Sequence, residues 1–109
     1  MGDFNPSAWR YVTIWEFHVP VAERLNFERI YGRSGLWAQL FSKAEGYVGT
    51  ELNRDLQIPG RYLTCDFWTS KDAYLAARQS LAREYATLDA ACERLTEKET
   101  HLGEFERIG

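Results

Sequence analysis

Cysteine, histidine and proline are scarce in this 109-residue chain, which has two, two and three of them. Cys65 and Cys92 form no Cys-x-x-Cys pair, and no histidine stands at metal-ligand spacing from either. The pattern predicts two free, reduced thiols and no metal site. No apolar run approaches the ~18 residues a membrane span needs. The segment Met1–Pro6 lacks the positive region and apolar stretch of a secretory signal. Gly2 does not complete a myristoylation pattern, because Pro6 stands where Ser or Thr is required. Basic runs are missing too, and the formal net charge is -3. A nucleic-acid surface usually shows a basic patch, so the sequence predicts no nucleic-acid partner and no membrane contact. The expected compartment is the cytoplasm.

Aromatic side chains are abundant instead: 4 Trp, 6 Tyr and 6 Phe make up 15% of the residues. With 45% hydrophobic and 27% charged residues the composition is that of a folded domain. A chain of this length buries roughly 65% of its unfolded surface, enough for a core of its own. Repeats and linkers are lacking. Residues 1–9 read as an N-terminal arm, polar and containing Pro6, and residues 10–109 as one domain.

Within that domain, Arg10 to Val19 is dense in β-branched and aromatic residues and is predicted to be a strand ended by Pro20. Val21 to Tyr31 carries Phe27, Ile30 and Tyr31 near helical spacing, and Gly32 and Gly35 break that helix. A second short helix, Leu36 to Lys43, presents Trp37, Leu40 and Phe41. Tyr47 to Arg54 alternates as a strand, with Val48, Thr50 and Leu52 on one side. After the Pro59-Gly60 turn, Arg61 to Thr69 alternates again, with Tyr62, Thr64, Asp66 and Trp68 against Leu63, Cys65 and Phe67. Ser70 is a helix cap. The stripe Tyr74, Arg78, Leu81, Tyr85, Leu88, Cys92 and Leu95 predicts one long helix after it. Glu99 to Ile108 is a last, polar strand.

The order β-α-β-β-α-β is the ferredoxin-like split βαβ arrangement, an α+β fold with a four-stranded antiparallel sheet. Strands 1 and 3 carry bulky apolar groups on both faces, but one domain supplies helices for only one face. The other face needs a partner, and a second copy is the simplest. The expectation is a homodimer packed sheet to sheet, with Trp15 and Phe17 between the subunits.

Several segments resemble the antibiotic biosynthesis monooxygenase family. They are Tyr11-Val-Thr-Ile-Trp-Glu-Phe-His-Val-Pro20, Phe27-Glu-Arg-Ile-Tyr-Gly32, Gly35-Leu-Trp-Ala-Gln-Leu-Phe41, Gly46-Tyr-Val-Gly-Thr-Glu51 and Asp66-Phe-Trp-Thr-Ser70. The resemblance covers about residues 10 to 108 and implies a dimeric α/β barrel. Its members include cofactor-free oxygenases of polyketide phenols and haem-degrading monooxygenases. For the haem-degrading branch, Trp68 fits. However, the iron-ligating histidine expected ten residues later is Arg78, and Glu16 or a neighbour replaces the first-strand asparagine. The resemblance therefore favours an oxygenase that uses no cofactor on a planar, electron-rich aromatic.

Three residues suit such chemistry as its catalytic groups. His18, at a strand end, or Asp66, isolated mid-strand, is a candidate base. Arg78 lies on the apolar stripe of the long helix and could hold a developing oxyanion, or could pair with Asp66 or Glu16. Trp68, Tyr62, Trp37 and Glu16 are expected to line the substrate pocket, and His101 to sit at the surface. The alternative is a non-catalytic domain that binds a small aromatic or serves as a dimer scaffold.

Overall fold

The computed structural model describes residues 8–109. The first seven residues of the expected arm lie outside them. Strand β1 (Tyr11–His18) leads through a 3-10 turn (Val21–Glu23) into helix α1 (Arg24–Tyr31) and then α2 (Leu36–Phe41). Strands β2 (Tyr47–Arg54) and β3 (Arg61–Trp68) precede helices α3 (Lys71–Ser80) and α4 (Ala82–Cys92). Strand β4 (Lys98–Glu106) ends the fold. The four strands pair antiparallel in the order β2-β3-β1-β4, as the ferredoxin-like reading expects.

Pairing in register decides which residues share a face. Tyr11, Thr13, Trp15 and Phe17 of β1 stand opposite Trp68, Asp66, Thr64 and Tyr62 of β3. Because directly opposed residues point the same way, these eight side chains form one surface, and it is the one the helices cover. Phe27 and Tyr31 of α1, Trp37 and Phe41 of α2, and Leu81 and Cys92 near and on α4 close over it. Trp15 and Phe17 therefore pack inside the subunit rather than between subunits. Phe17 rings meet Phe27 at 5.3 Å and Tyr31 at 5.0 Å, within the range where aromatic pairs add to simple burial.

The second helical region is bent rather than continuous. Ser70 caps α3, its Oγ accepting from the Ala73 N–H at 3.0 Å. At Leu81 the backbone leaves helical geometry, yet Leu81 still donates to Ala77 and Tyr85 to Leu81. The apolar stripe survives the bend: Leu81, Cys92 and Leu95 are buried, with Tyr74, Tyr85 and Leu88 packed beside them.

The other sheet face carries Val12, Ile14, Glu16 and His18 beside Phe67, Cys65, Leu63 and Arg61. Among the described residues no helix crosses it. Trp9 packs tilted against Phe67 at 5.0 Å and lies beneath the Arg107 guanidinium.

Two register shifts break the regular alternation. One falls between Tyr47 and Gly49. The extra residue there puts Tyr47 and Thr50, three positions apart, on the same helix-facing side. Gly46, just before it, has φ +92, a left-handed conformation that favours glycine, and a Cβ would fall 2.5 Å from Ala73 Cβ. Gly46→Ala is expected to destabilise the domain by about 2 kcal/mol, read as a lower urea midpoint at unchanged slope.

Candidate functional site

Between the helix-facing side of the sheet and α1, α2 and α4 lies a cavity of about 120 Å³. Its floor is the paired Thr50 and Asp66 and, in the next row, the paired Thr64 and Trp15, spread over three neighbouring strands. Tyr31, Trp37, Phe41 and Tyr85 wall it, and Asp89 and Glu99 stand exposed at its rim.

Asp66 is the chemically distinctive member. A carboxylate among aromatic rings loses most of its hydration, which penalises the charged form. One protein hydrogen bond answers that loss: Thr50 donates its hydroxyl to Asp66 Oδ1 at 2.6 Å. Because Thr50 spends its proton on Asp66, the Tyr47 hydroxyl must donate to Thr50 in turn. The relay Tyr47–Thr50–Asp66 depends on the bulge that turned Tyr47 inward. Burial outweighs the Thr50 hydrogen bond and raises the Asp66 pKa to about 6. The group thus exchanges its proton near neutrality, where a general base works best. Burial also pushes the Tyr85 phenol up to about 12 and Tyr47 and Tyr31 higher still, so all three phenols stay neutral.

The structure divides the residues the sequence singled out. Asp66 and Trp37 line the cavity. Trp68 and Tyr62 share the Asp66 face but belong to the core instead. Trp68 is wholly buried, edge-on to Phe41, Tyr47 and Tyr74 at 5.2–5.5 Å. Its indole N–H meets no acceptor among the described residues. The Tyr62 hydroxyl donates to Glu28 at 2.6 Å, and its ring packs on Phe27.

His18 and Glu16 point to the opposite side of the sheet, so neither converges with Asp66. Their alternation with Phe17 sends them outward. There Glu16 accepts from Arg61 Nε at 3.0 Å and lies 2.6 Å from His18 Nε2. Arg61 also bonds Asp55 at 2.7 Å. Arg61 and then His18 hold the Glu16 carboxyl low, and Arg61 with two backbone N–H groups takes Asp55 down to about 2.

Arg78 pairs with neither acid proposed for it. Its guanidinium lies 3.8 Å over the Tyr85 ring, a cation–π contact, and donates to the Tyr74 hydroxyl at 2.9 Å. It touches a cavity wall without lining the cavity. His101 is exposed, as expected, but its ring packs tilted against Trp15 at 4.9 Å.

Sequence reasoning missed Trp15, Tyr85 and the threonine pair as lining groups. Thr50 and Thr64 carried a usable signal: polar residues on strand faces that otherwise read as core. Among the described residues no group of His, Cys, Asp and Glu could hold a metal ion, and no helix is long and apolar enough to cross a membrane. Cys65 and Cys92 are free thiols.

Solved structures share this architecture. A variant of SnoaB, a cofactor-independent oxygenase from Streptomyces nogalater, superposes with a TM-score of 0.74 at 24% identity, over 94% of this chain and 96% of that one. PA3566 from Pseudomonas aeruginosa gives 0.65 at 12% identity over 99% and 100%. A conserved Methanosarcina mazei protein gives 0.68 at 13% identity over 94% and 96%. At these identities the likeness speaks for the fold alone. No functionally curated protein matches the chain. The sequence itself goes further than the superpositions, because residues 35–99, from the start of α2 through α4 to the first residues of β4, match one family directly. That stretch holds most of the cavity, and by it the chain belongs to the antibiotic biosynthesis monooxygenase family.

Proposed function

We propose that the protein is an oxygenase that oxidises a small, electron-rich phenol with O2 and needs neither metal nor organic cofactor. The observation that carries this reading is Asp66: a carboxylate with its pKa raised to about 6, facing an aromatic-walled cavity. Family membership and the fold shared with an oxygenase of this type support it.

The chemistry balances without a further reductant. Asp66 takes the phenolic proton. The phenolate gives one electron to O2, and the resulting phenoxyl radical and superoxide join at an unsubstituted ring carbon. Asp66 returns its proton to the peroxide so formed. Loss of the ring C–H proton then makes a carbonyl as the O–O bond breaks and hydroxide leaves, which with that proton becomes water. Phenol and O2 become quinone and water. The rings exclude water and strengthen every electrostatic interaction inside. Trp37 and Trp15 supply flat surfaces for the substrate, and Arg78 acts as a positioning residue through Tyr85. The outward faces of β1 and β3 are assigned to a second copy of the chain, and the free thiols suit a cytoplasmic protein.

A non-catalytic aromatic-binding or scaffold domain is the second reading, favoured by one observation: the cavity's small volume. Oxygen uptake against single-ring hydroquinones and phenols, and against anthrones, separates the two. Quinone formation by the metal-free protein is the outcome of the first reading, and silence that of the second.

Asp66→Asn is expected to lower kcat/KM by roughly 10²–10⁴-fold, the usual worth of a positioned base. In the native protein kcat/KM should rise with pH through about 6, as Asp66 ionises.

The same group gives a stability prediction of opposite sense. Its folded-state pKa lies above the unfolded value of 3.8, so the folded protein binds the proton more tightly. Stability is therefore lost as pH rises from about 4 to about 6, by at most about 3 kcal/mol. Asp66→Asn should unfold at a higher temperature than the native protein at pH 7, and the difference should vanish at pH 4.

Sedimentation equilibrium is expected to give twice the 12.7 kDa chain mass. Ile14→Glu, on the uncovered face, should shift it toward the monomer.

A further inference from the structure

The cavity's charge and its size together restrict what it can hold. Its volume of about 120 Å³ is that of a one-ring site, since apolar cavities near 150 Å³ admit benzene. A substrate larger than one ring must extend through the rim. There the residues are Asp89 of α4 and Glu99 of β4, while Asp66 stands on the floor. Among the described residues every ionisable lining group other than tyrosine is thus an acid, and no lysine, arginine or histidine lines the cavity. Arg78 and His101 pack on the Tyr85 and Trp15 walls without entering the lining. Glu93 adds a further carboxylate, lining the adjoining depression with Asp89 and Glu99.

The acids at the rim repel one another when no cation lies between them. Burial and repulsion from Asp89 and Glu93 hold the Glu99 carboxyl above its usual range. A cation relieves that repulsion, and an anion adds to it. The walls favour the same sign. Trp15, Tyr31, Trp37, Phe41 and Tyr85 present π-systems, whose faces attract alkylammonium groups.

We infer that the cavity selects a single-ring phenol bearing an alkylammonium tail, with the ring seated among Trp15, Trp37 and Tyr85 and the ammonium held at Asp89 and Glu99. This rests on the proposed site but not on its oxygen chemistry. The phenolic hydroxyl then lies toward Asp66, and the tail faces the rim. Phenols with a carboxylate tail of the same length are rejected by charge.

The test is equilibrium binding without O2, read by quenching of tryptophan fluorescence, with tyramine and 3-(4-hydroxyphenyl)propionate as probes. They share the ring and differ in the charge of the tail. At low salt tyramine is expected to bind at least ~5-fold more tightly. The preference should shrink as salt screens the exposed rim acids, and should disappear in Asp89→Asn/Glu99→Gln, whose folding is checked by circular dichroism. Native protein in 1 M salt provides the same comparison should the double variant fail to fold. Equal affinities, tighter binding of the acid, a preference unmoved by salt and by the double variant, or no binding of either probe would each overturn the inference. If tyramine is preferred but consumes no O2 in air, the oxygenase reading falls and the specificity stands.

Discussion

A carboxylate on the helix-facing side of an inner strand has to be compensated from within the fold, and much around Asp66 can be read as that compensation. Thr50, opposite it on β2, supplies a hydrogen bond. Tyr47 completes the chain because a bulge brings it to the same face, and Gly46 provides the left-handed turn that enters the strand. The compensation is partial, since burial still wins and the acid stays weaker than a solvated one. Incomplete solvation is costly for stability and useful for proton transfer. A carboxylate fully satisfied by an arginine would be stable and inert, which is the condition of Glu16 on the opposite face.

The contrast between the two faces organises the molecule. The covered side is a continuous aromatic packing, Phe27 on Tyr31 at 4.2 Å and Trp68 among three rings, in which Asp66 and the buried threonines Thr13, Thr50 and Thr64 of β1 to β3 are polar exceptions. The uncovered side is apolar at its centre and bordered by the Glu16–Arg61–Asp55 network. One face is thus suited to hold a small molecule, the other to meet a protein surface. The same β1 strand serves both through strict alternation.

Alternation is also why so much of the fold was legible in the sequence. The strand pattern from Tyr62 to Trp68 fixed the face of Asp66, and the 3–4 spacing from Tyr74 to Leu95 fixed the inner side of α3 and α4. What alternation alone could not give was the depth of each residue within a face. Trp68 and Asp66 are two positions apart on one face, yet Trp68 is sealed by Phe41, Tyr47 and Tyr74 while Asp66 meets open space. That difference is set by which helix lies above each position. The placement of His18 was legible in principle, because it shares the side of Ile14 and Glu16, and that side is the one without helices. The bulge at Val48 was not legible, since one inserted residue leaves no signature in a short alternating strand. It alone places Tyr47 beside Thr50.

The proposed chemistry depends on the proton affinity of a single side chain. The direct measurement is a titration of the Asp66 carboxyl carbon by NMR in protein labelled with 13C, with the resonance assigned by its loss in Asp66→Asn. A midpoint near 6, well above the ordinary aspartate range, is the result predicted. A midpoint near 4 would mean that water or another partner solvates the group fully, and would contradict its role as the base.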